Sequence, residues 1–544
     1  MNRRKFISGA VLGLGGALCE MSAGLPDSRR YDVIVYGGTA AGVSAAVAAA
    51  RAGCSVALLE PGSHLGGMVS GGLSHSDTGV KQTIGGVSLE FYKRVGQRYQ
   101  QPVAWDFEPH VAEEVFNAMA REAHVTVLYH HRLAEDRGVN KRGAIIQEIL
   151  VENGDRFAAR EFIDSTYEGD LLAQAGVSYT WGREARTKYG ESYAGTRQAD
   201  QYGHHRFDVP VEAYDRHKKL LPNICPGGRG AIGAGDRKVQ AYNFRLCMTK
   251  SPGRVSVPAP ASYNPKDFTL LSRLIEAETR KRGRPPRLGD LTSMSPLPNG
   301  KMDVNNNGAF STDCIGMSWA YPTARYRQRE AIWRAHADYT AGFFYFLSHD
   351  PAVPEALSKE VRQWGLANDE FRDSDHWPPQ LYVREARRML GGFIMTQHDA
   401  LTSLKKSDPI GMGSYNIDSH NVQRYVQSDG TVQNEGDLEV PAIPYQIAYR
   451  VLVPRANECS NLLVPVCTSA SHVGYGTLRL EPVYMIMGEA AGVAAKLAID
   501  ENRSVQTVDT RELTRRLARK GAVMEWEAPG EGWKASVRKA LNAF

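Results

Sequence analysis

Two groups of residues in this chain have types and spacing that can do chemistry. The first is Tyr36-Gly37-Gly38-Thr39-Ala40-Ala41-Gly42, followed by an acid, Glu60, and then by Leu65-Gly66-Gly67-Met68-Val69-Ser70-Gly71-Gly72. The second is a set of His, Asp and Arg further on: Arg384, Arg388, Asp418, His420, His472 and Arg479. Glycines let backbone amides approach an anion closely, and a helix N-terminus offers a pyrophosphate unpaired donors and the positive end of a dipole. Histidine beside carboxylate can move a proton, and paired arginines can clamp a carboxylate or oxyanion. A metal is not expected. None of the cysteines at 19, 54, 225, 247, 314, 459 and 467 form CxxC, and no four have zinc or iron–sulfur spacing. Those after Cys19 either pair in an oxidising compartment or act as small buried hydrophobes.

The elements around the first group fit a dinucleotide site. Tyr31–Tyr36 is a β-branched run suited to a buried parallel strand, Val43–Ala52 is Ala-rich and reads as a helix, and Ser55–Leu59 reads as a second strand ending at Glu60. Gly37 makes the tight turn off the strand and Gly42 lets the helix lie close to the sheet. Glu60 can accept from ribose hydroxyls and would repel a 2′-phosphate. Thr39 stands where the fingerprint has its middle glycine; it either narrows the approach of the phosphate or bonds to it. The second glycine stretch is not needed for NAD. With Leu65, Met68, Val69 and Leu73 it is too apolar for a surface loop, and it suits backbone running along an extended dinucleotide towards a flavin ring. FAD is therefore the expected cofactor, held by Gly37, Gly38, Thr39, Ala40, Ala41, Gly42 and Glu60, with Gly66, Gly67 and Met68 along it.

Further segments carry a resemblance. They are Phe162-Ile-Asp-Ser-Thr-Tyr-Glu-Gly-Asp-Leu171, Gln240-Ala-Tyr-Asn-Phe-Arg245, Gln380-Leu-Tyr-Val-Arg-Glu-Ala-Arg-Arg388, Asn461-Leu-Leu-Val-Pro-Val-Cys467 and Ser469-Ala-Ser-His-Val-Gly-Tyr-Gly-Thr-Leu-Arg-Leu-Glu-Pro482. With the two glycine stretches, they make the chain resemble the FAD-dependent oxidoreductases related to the flavin subunit of heterodisulfide reductase, some of which are called xanthan lyases. The resemblance runs from about residue 31 to about 520. It implies FAD, redox chemistry and an α/β fold: a Rossmann-type FAD-binding domain of the two-domain glutathione-reductase or fumarate-reductase type, with an inserted α+β substrate domain. A 4Fe–4S cluster, found among the reductase relatives, does not fit the dispersed cysteines.

The rest of the chain divides accordingly: a leader and linker over 1–30, the first part of the FAD-binding domain over 31–180, a substrate domain over 181–454, a return segment over 455–500 and a helical tail over 501–544. Val125–Tyr129 reads as a strand; Ala144–Val151 and Arg156–Ile163 read as a meander turning at Asn153-Gly154. Asp164, Thr166 and Glu168 are either cofactor contacts or strand-end turn polars. Tyr326–Leu347, Pro354–Trp364 and Pro482–Ile499 read as helices, the last with its N-terminus towards the flavin pyrimidine edge and Gly476 and Thr477 just before it. His472 is the first candidate for the proton acceptor, with Asp418 and His420 as others. Arg384 and Arg388 are expected one helical turn apart as a substrate clamp, and Arg387 on a solvated or salt-bridged face. Asp303–Phe310, Trp319–Pro322 and Tyr415–Asn421 mix amide, acid and aromatic side chains in a way that suits a hydroxyl-rich ligand.

A net charge of +5, part of it in the leader, is too small to argue for nucleic acid. The chain opens Asn2-Arg3-Arg4-Lys5-Phe6-Ile7-Ser8, followed by a short Gly-rich apolar run, which reads as a twin-arginine export signal and a periplasmic location. No later segment reads as a transmembrane helix. The expected activity is hydride transfer between a small organic substrate, carbohydrate-like in its polar complement, and FAD, with the electron acceptor and oligomeric state undetermined. Two alternatives stand beside it: a polysaccharide lyase, which needs no dinucleotide, and an electron-transfer flavin subunit, which would want cluster cysteines.

Overall fold

The computed structural model describes residues 28–199, 203–402 and 404–527. The expected export signal and the last part of the expected helical tail lie outside them.

Strand β1 (Arg29–Tyr36) sits at the centre of a seven-stranded sheet of order β3-β2-β1-β6-β5-β4. Its neighbours are β2 (Val56–Glu60) and β6 (Arg156–Asp164), both parallel to it, and β3 (Thr126–Tyr129) continues the sheet beyond β2. The meander β4 (Val139–Arg142) and β5 (Ile145–Leu150) covers only the first part of β6. The rest of that edge is taken by the returning strand β7 (Leu462–Leu463), which pairs with Phe162 and Ile163. Val33–Tyr36 and Val56–Leu59 are buried without alternation, as strands covered on both faces must be. The register sets Tyr36 opposite both Leu59 and Asp164, so the carboxyl ends of β1, β2 and β6 open on one edge. The carboxyl edge of a doubly wound sheet is where such folds bind nucleotides.

Helix α1 (Ala40–Arg51) starts at Ala40, earlier than the composition suggested, because Thr39 caps it. Its small residues are explained by the helix across it. In α6 (Glu481–Glu501), a Cβ on Gly488 would stand 2.2 Å from the Ala41 carbonyl oxygen, and one on Gly492 would stand 2.3 Å from that of Ala45. The two helices therefore touch backbone to backbone. Helix α6 is long and apolar enough to cross a membrane, but 94% of its most apolar window is buried inside the protein, which makes it a core helix.

Between Trp181 and Pro454 the chain builds a four-stranded antiparallel sheet from Leu246–Thr249, Thr292–Leu297, Lys301–Asn306 and Gly365–Leu366. Several two-stranded ladders join it, along with the long helix Tyr326–His349. One apolar cluster runs through both regions, from Val33 through Phe343 to Tyr475. Cys54, Cys225, Cys247, Cys314, Cys459 and Cys467 are all buried free thiols, so of the two readings left open for them the structure takes the second. Asp509 caps the helix Thr510–Arg519 by accepting from the amides of Arg511 and Glu512.

Adding a side chain at Gly488 must push α6 off α1. Gly488→Val is expected to cost about 1–3 kcal/mol or more, measured by thermal denaturation, whereas Gly289→Ala, at a position with open space around it, leaves the Tm unchanged.

Candidate functional site

The nucleotide cradle is built at the end of β1. Gly37 has φ +98°, and a Cβ there would lie 2.8–2.9 Å from Thr166 and Ser165, so only glycine fits. Its amide donates to the Leu59 carbonyl at 2.8 Å, and the amide of Gly38 donates to Glu60 Oε2 at 2.7 Å. Glu60 Oε1 takes the amide of Gly62 at 2.5 Å. Thr39 accepts from the Gly42 amide at 3.2 Å and donates to the Ser165 carbonyl at 2.8 Å. Its hydroxyl is thus a helix cap, which is why threonine can stand in for the middle glycine. The first turn of α1 still presents the amides of Ala40 and Ala41 as donors for a pyrophosphate. A cavity of about 520 Å³ opens here, lined by Tyr36, Gly37, Thr39, Glu60, Thr166 and Glu168, and on the opposite wall by Tyr326, Arg329 and Trp333. Burial pushes the Glu60 carboxyl up to about 7, against the pull of the two amides.

The second glycine stretch is fastened to the first. The Gly66 amide donates to the Gly38 carbonyl at 2.7 Å, and Thr39 and Gly66 form a parallel bridge. A Cβ on Gly67 would meet the Tyr167 hydroxyl at 2.5 Å. That hydroxyl accepts from the Met68 amide at 2.9 Å and donates to Glu481 Oε1 at 2.7 Å. Free helix-end amides as donors, a carboxylate acceptor at the end of β2 and an apolar glycine loop beside them fit an extended flavin dinucleotide.

Asp164 and Thr166 do turn chemistry. Asp164 accepts from the Thr166 amide and hydroxyl at 3.1 and 2.7 Å and from the Leu172 amide at 2.8 Å, while Thr166 Oγ1 accepts from the Gly169 amide at 3.0 Å. Thr166 in addition lines the cavity. Thr477 donates to the Tyr415 carbonyl at 2.6 Å and bonds the Tyr445 hydroxyl at 3.0 Å. A Cβ on Gly476 would lie 3.0 Å from the Asp418 carbonyl oxygen. These two residues hold the helix His472–Leu478 against the strand Ile417–Ser419.

That packing brings Asp418, His420 and His472 together. Asp418 Oδ2 accepts from Arg479 Nη2 at 2.9 Å, and Arg479 Nη1 donates to the Tyr382 hydroxyl at 2.9 Å. His420 Nδ1 lies 2.9 Å from Asp313 Oδ2, and its Nε2 lies 3.9 Å from Asp418 Oδ1. Asp313 is paired with Arg384 at 2.8 Å. Burial opposes ionisation of Asp313, but the Arg384 and His420 charges outweigh it and hold the carboxyl at about 2. Burial, then the Arg384 charge, pushes His420 below the usual histidine range. Burial also works against ionised Asp418, and Arg479 overcomes it. Asp77, whose carboxylate accepts from the Tyr415 hydroxyl at 3.0 Å, completes the polar wall.

His472 is differently placed. Its Nδ1 is 2.8 Å from Glu385 Oε2 and its Nε2 is 3.2 Å from Ser419 Oγ, while its amide donates to Glu184 at 2.8 Å. Burial and the charges of Arg388 and Arg183 press it down to about 3, so it is neutral. Its side chain is 4% exposed, against 10% for His420 and 22% for Asp418.

The expected arginine clamp needs correcting. Residues 380–389 are not helical: Tyr382 pairs with Asn243, and Arg388–Met389 form a ladder with Tyr179–Thr180. Extended backbone sends the two side chains apart. Arg384 goes to Asp313; Arg388 goes to Glu184 at 2.6 Å, to Glu385, and to the carbonyls of Gly182 and Ala470. Of the two readings of Arg387, solvated or salt-bridged, the structure takes the second: it pairs with Asp170 at 2.6 Å.

Asp313, Glu385, Tyr167, Asp77 and Glu481 escaped the sequence reading. Of these only Glu481 carries a local signal, an acid before Pro482 at the head of an apolar helix. Glu108, His110 and Glu370 lie close enough together to hold a cation, but Lys301 Nζ already stands 2.7 Å from Glu108 and 2.6 Å from Glu370.

A family model described as FAD dependent oxidoreductase matches residues 32–517. No curated protein matches the chain. Among solved structures, similarity is partial. The anhydrotetracycline hydroxylase OxyS from Streptomyces rimosus is 15% identical over 34% of this chain and 41% of its own, with a TM-score of 0.22. A thioredoxin reductase from T. acidophilum is 21% identical over 30% of this chain and 41% of its own, with a TM-score of 0.17. The chain thus spans about two fifths of either structure.

Glu60→Ala is expected to keep the fold and to weaken FAD retention about tenfold or more, since hydrogen bonds to a charged group contribute about 1.5–3 kcal/mol each; unchanged retention in a fluorescence titration removes the ribose contact. The raised carboxyl has a signature in the protein without FAD. Relative to Glu60→Gln, the wild type keeps full stability below the ordinary glutamate range and loses it as the pH rises through about 7; parallel stability curves would contradict this.

Proposed function

The chain belongs to the family of FAD dependent oxidoreductases, and from that premise we propose that it oxidises a small, hydroxyl-rich substrate at a carbon bearing a hydroxyl, with His420 as the base. The observation that carries this reading is the Asp313–His420 pair. Asp313 is ionised and can only accept, so the Nδ1 proton of His420 points to it and the lone pair falls on Nε2. The tautomer follows from this partner. Unlike His472, His420 keeps one nitrogen without a close bond among the described residues, and it sits beside the partly open Asp418.

FAD, when bound, supplies the two-electron acceptor for the hydrogen that leaves the carbon as hydride. The chain's own groups do the rest. Asp418, Asp77 and Arg479 offer two carboxylates and a guanidinium, the mixture of acceptors and donors that hydroxyl groups need. His420 Nε2 takes the substrate hydroxyl proton. Asp313 and Asp418 steady the imidazolium that results, in surroundings where burial strengthens the attraction. His472 acts as a positioning residue, holding Ser419 between Asp418 and His420.

Export is part of the proposal. Arg3-Arg4 and the apolar run after them support a twin-arginine route to the periplasm, a route suited to a protein that folds around its cofactor before it leaves the cytoplasm.

Three outcomes are expected. Substrates found by flavin bleaching under nitrogen should turn over at least about 100-fold more slowly in His420→Ala with FAD still bound, the scale of a lost general base; unchanged turnover would remove His420 from the mechanism. Because His420 titrates below the usual histidine range, the wild-type rate should be flat across neutral pH and fall only below about 6.5; a limb at or above that value points to another base. A reporter fused behind residues 1–30 should reach the periplasm, and Arg3→Lys with Arg4→Lys should stop it; export of both forms would refute the twin-arginine route.

A further inference from the structure

His64 lies in the stretch that joins the end of β2 to the second glycine group, and it is held from both sides. Its Nδ1 lies 3.0 and 3.1 Å from the two carboxylate oxygens of Glu113, on the helix Pro109–Glu122, and its Nε2 lies 3.1 Å from Asp373 Oδ2. A carboxylate only accepts, so each ring nitrogen must carry a proton to bond it. A neutral imidazole has one N–H and can serve only one of the two acids. The arrangement is that of an imidazolium. The charges agree with it: the Glu113 carboxylate raises the ring above the usual histidine range, against the effect of burial, and Asp373 adds to it. Glu60, at the end of β2, is the third acid near the ring, and the His64 charge favours its ionised form.

The two acids that bond the ring belong to different parts of the fold. Asp373 lies on a strap, residues 369–381, that leaves the four-stranded sheet after Gly365–Leu366 and crosses to the glycine loop. The strap is fixed towards both ends. Glu370 accepts from the His110 amide at 3.0 Å and from Lys301 Nζ at 2.6 Å, and Tyr382 pairs with Asn243. Between these points the backbone bonds are local, with the amides of Ser374 and His376 donating to the Phe371 carbonyl at 3.1 and 2.8 Å. Phe371, Asp375 and His376 take left-handed backbone, with φ of 49°, 54° and 63°, which a Cβ disfavours, so the excursion has to be held from outside. The Asp373–His64 pair holds it. Both segments reach the nucleotide cavity, the loop through Pro61 and Gly62 and the strap through Pro379, Gln380 and Leu381. One imidazole ring thus ties together two walls of the same cavity.

We propose that His64 is a proton-operated clasp: protonated, it bridges Glu113 and Asp373 and keeps strap and glycine loop closed on the bound cofactor, and once neutral it releases one acid and lets the cofactor leave faster. The gating rests on the FAD assignment above; the bridge does not. The clasp is fully closed below the ordinary histidine range and is lost as the pH rises through the raised value.

Two readouts test it. In the protein without FAD, the imidazole Cε1–H resonance that disappears in His64→Gln should titrate above the usual histidine value of about 6.5 in the wild type, and lower in Asp373→Ala. In the FAD-loaded protein, release of FAD is followed by the recovery of flavin fluorescence. Asp373 is 61% exposed, so the bond has the strength of a surface pair. At about pH 5.5 the wild type should release FAD about three- to fivefold more slowly than Asp373→Ala or His64→Gln, and at about pH 9 the three rates should converge. A His64 resonance that titrates at or below about 6.5, or equal release rates for wild type and Asp373→Ala in acid, overturns the clasp. A wild type that takes up no FAD while His64 still titrates high overturns the cofactor assignment and the gating with it, and leaves the bridge standing.

Discussion

A guanidinium taken out of water must find acceptors for its donors, and leaving one unpaired costs about 3–5 kcal/mol. The region that faces the cradle is organised by this requirement. Arg183 joins Asp236 and Glu435, each at 2.6 Å. Arg245 grips Asp303 with two bonds, at 2.8 and 2.7 Å. Arg424 bonds Asn434 and the carbonyls of Asn223 and Ala309, and Arg384, Arg388 and Arg479 hold the acids around the histidines. Apart from Arg424 and Asn434, which face each other on one ladder, the partners are far apart in sequence, so these contacts fasten loops and short ladders that have few backbone pairs of their own.

The same requirement reaches the cofactor side. Asp303, held by Arg245, accepts from the amides of Ser74 and His75 just beyond the second glycine stretch. An ion pair in the four-stranded antiparallel sheet thus anchors the end of the loop whose beginning is bonded to the dinucleotide turn. Loop and cradle are thereby fastened to the sheet that carries Asp303 by side chains that do not line the cavity.

What could be read from the sequence follows the range of the interactions. The β1–α1–β2 unit was legible because its determinants are neighbours: β-branched strand residues, glycine at the turn, small residues on the helix and an acid after the second strand. The small error at the start of α1 comes from Thr39, whose capping hydroxyl was weighed as a phosphate ligand. Arg384 and Arg388 were misplaced because their spacing suits a helix, while the conformation is set by pairing with Asn243 and with Tyr179–Thr180, which local pattern cannot reveal. His420 and His472 were both visible as histidines. Nothing local says that Asp313 orients the first and that Glu385 and Ser419 close off the second.

Glu481 shows how one local rule can hide a different environment. An acid in the first turn of a helix is favoured by the macrodipole, and proline after it is ordinary at a helix start, so the residue passes as a cap. The dipole argument applies to the ionised form, and burial favours the neutral one. Glu60 presents the complementary case. Both of its oxygens accept from backbone amides, so further donors, such as ribose hydroxyls, favour its charge. The two acids are each pushed up by burial, but only Glu60 lines the cavity where added donors can reverse the effect.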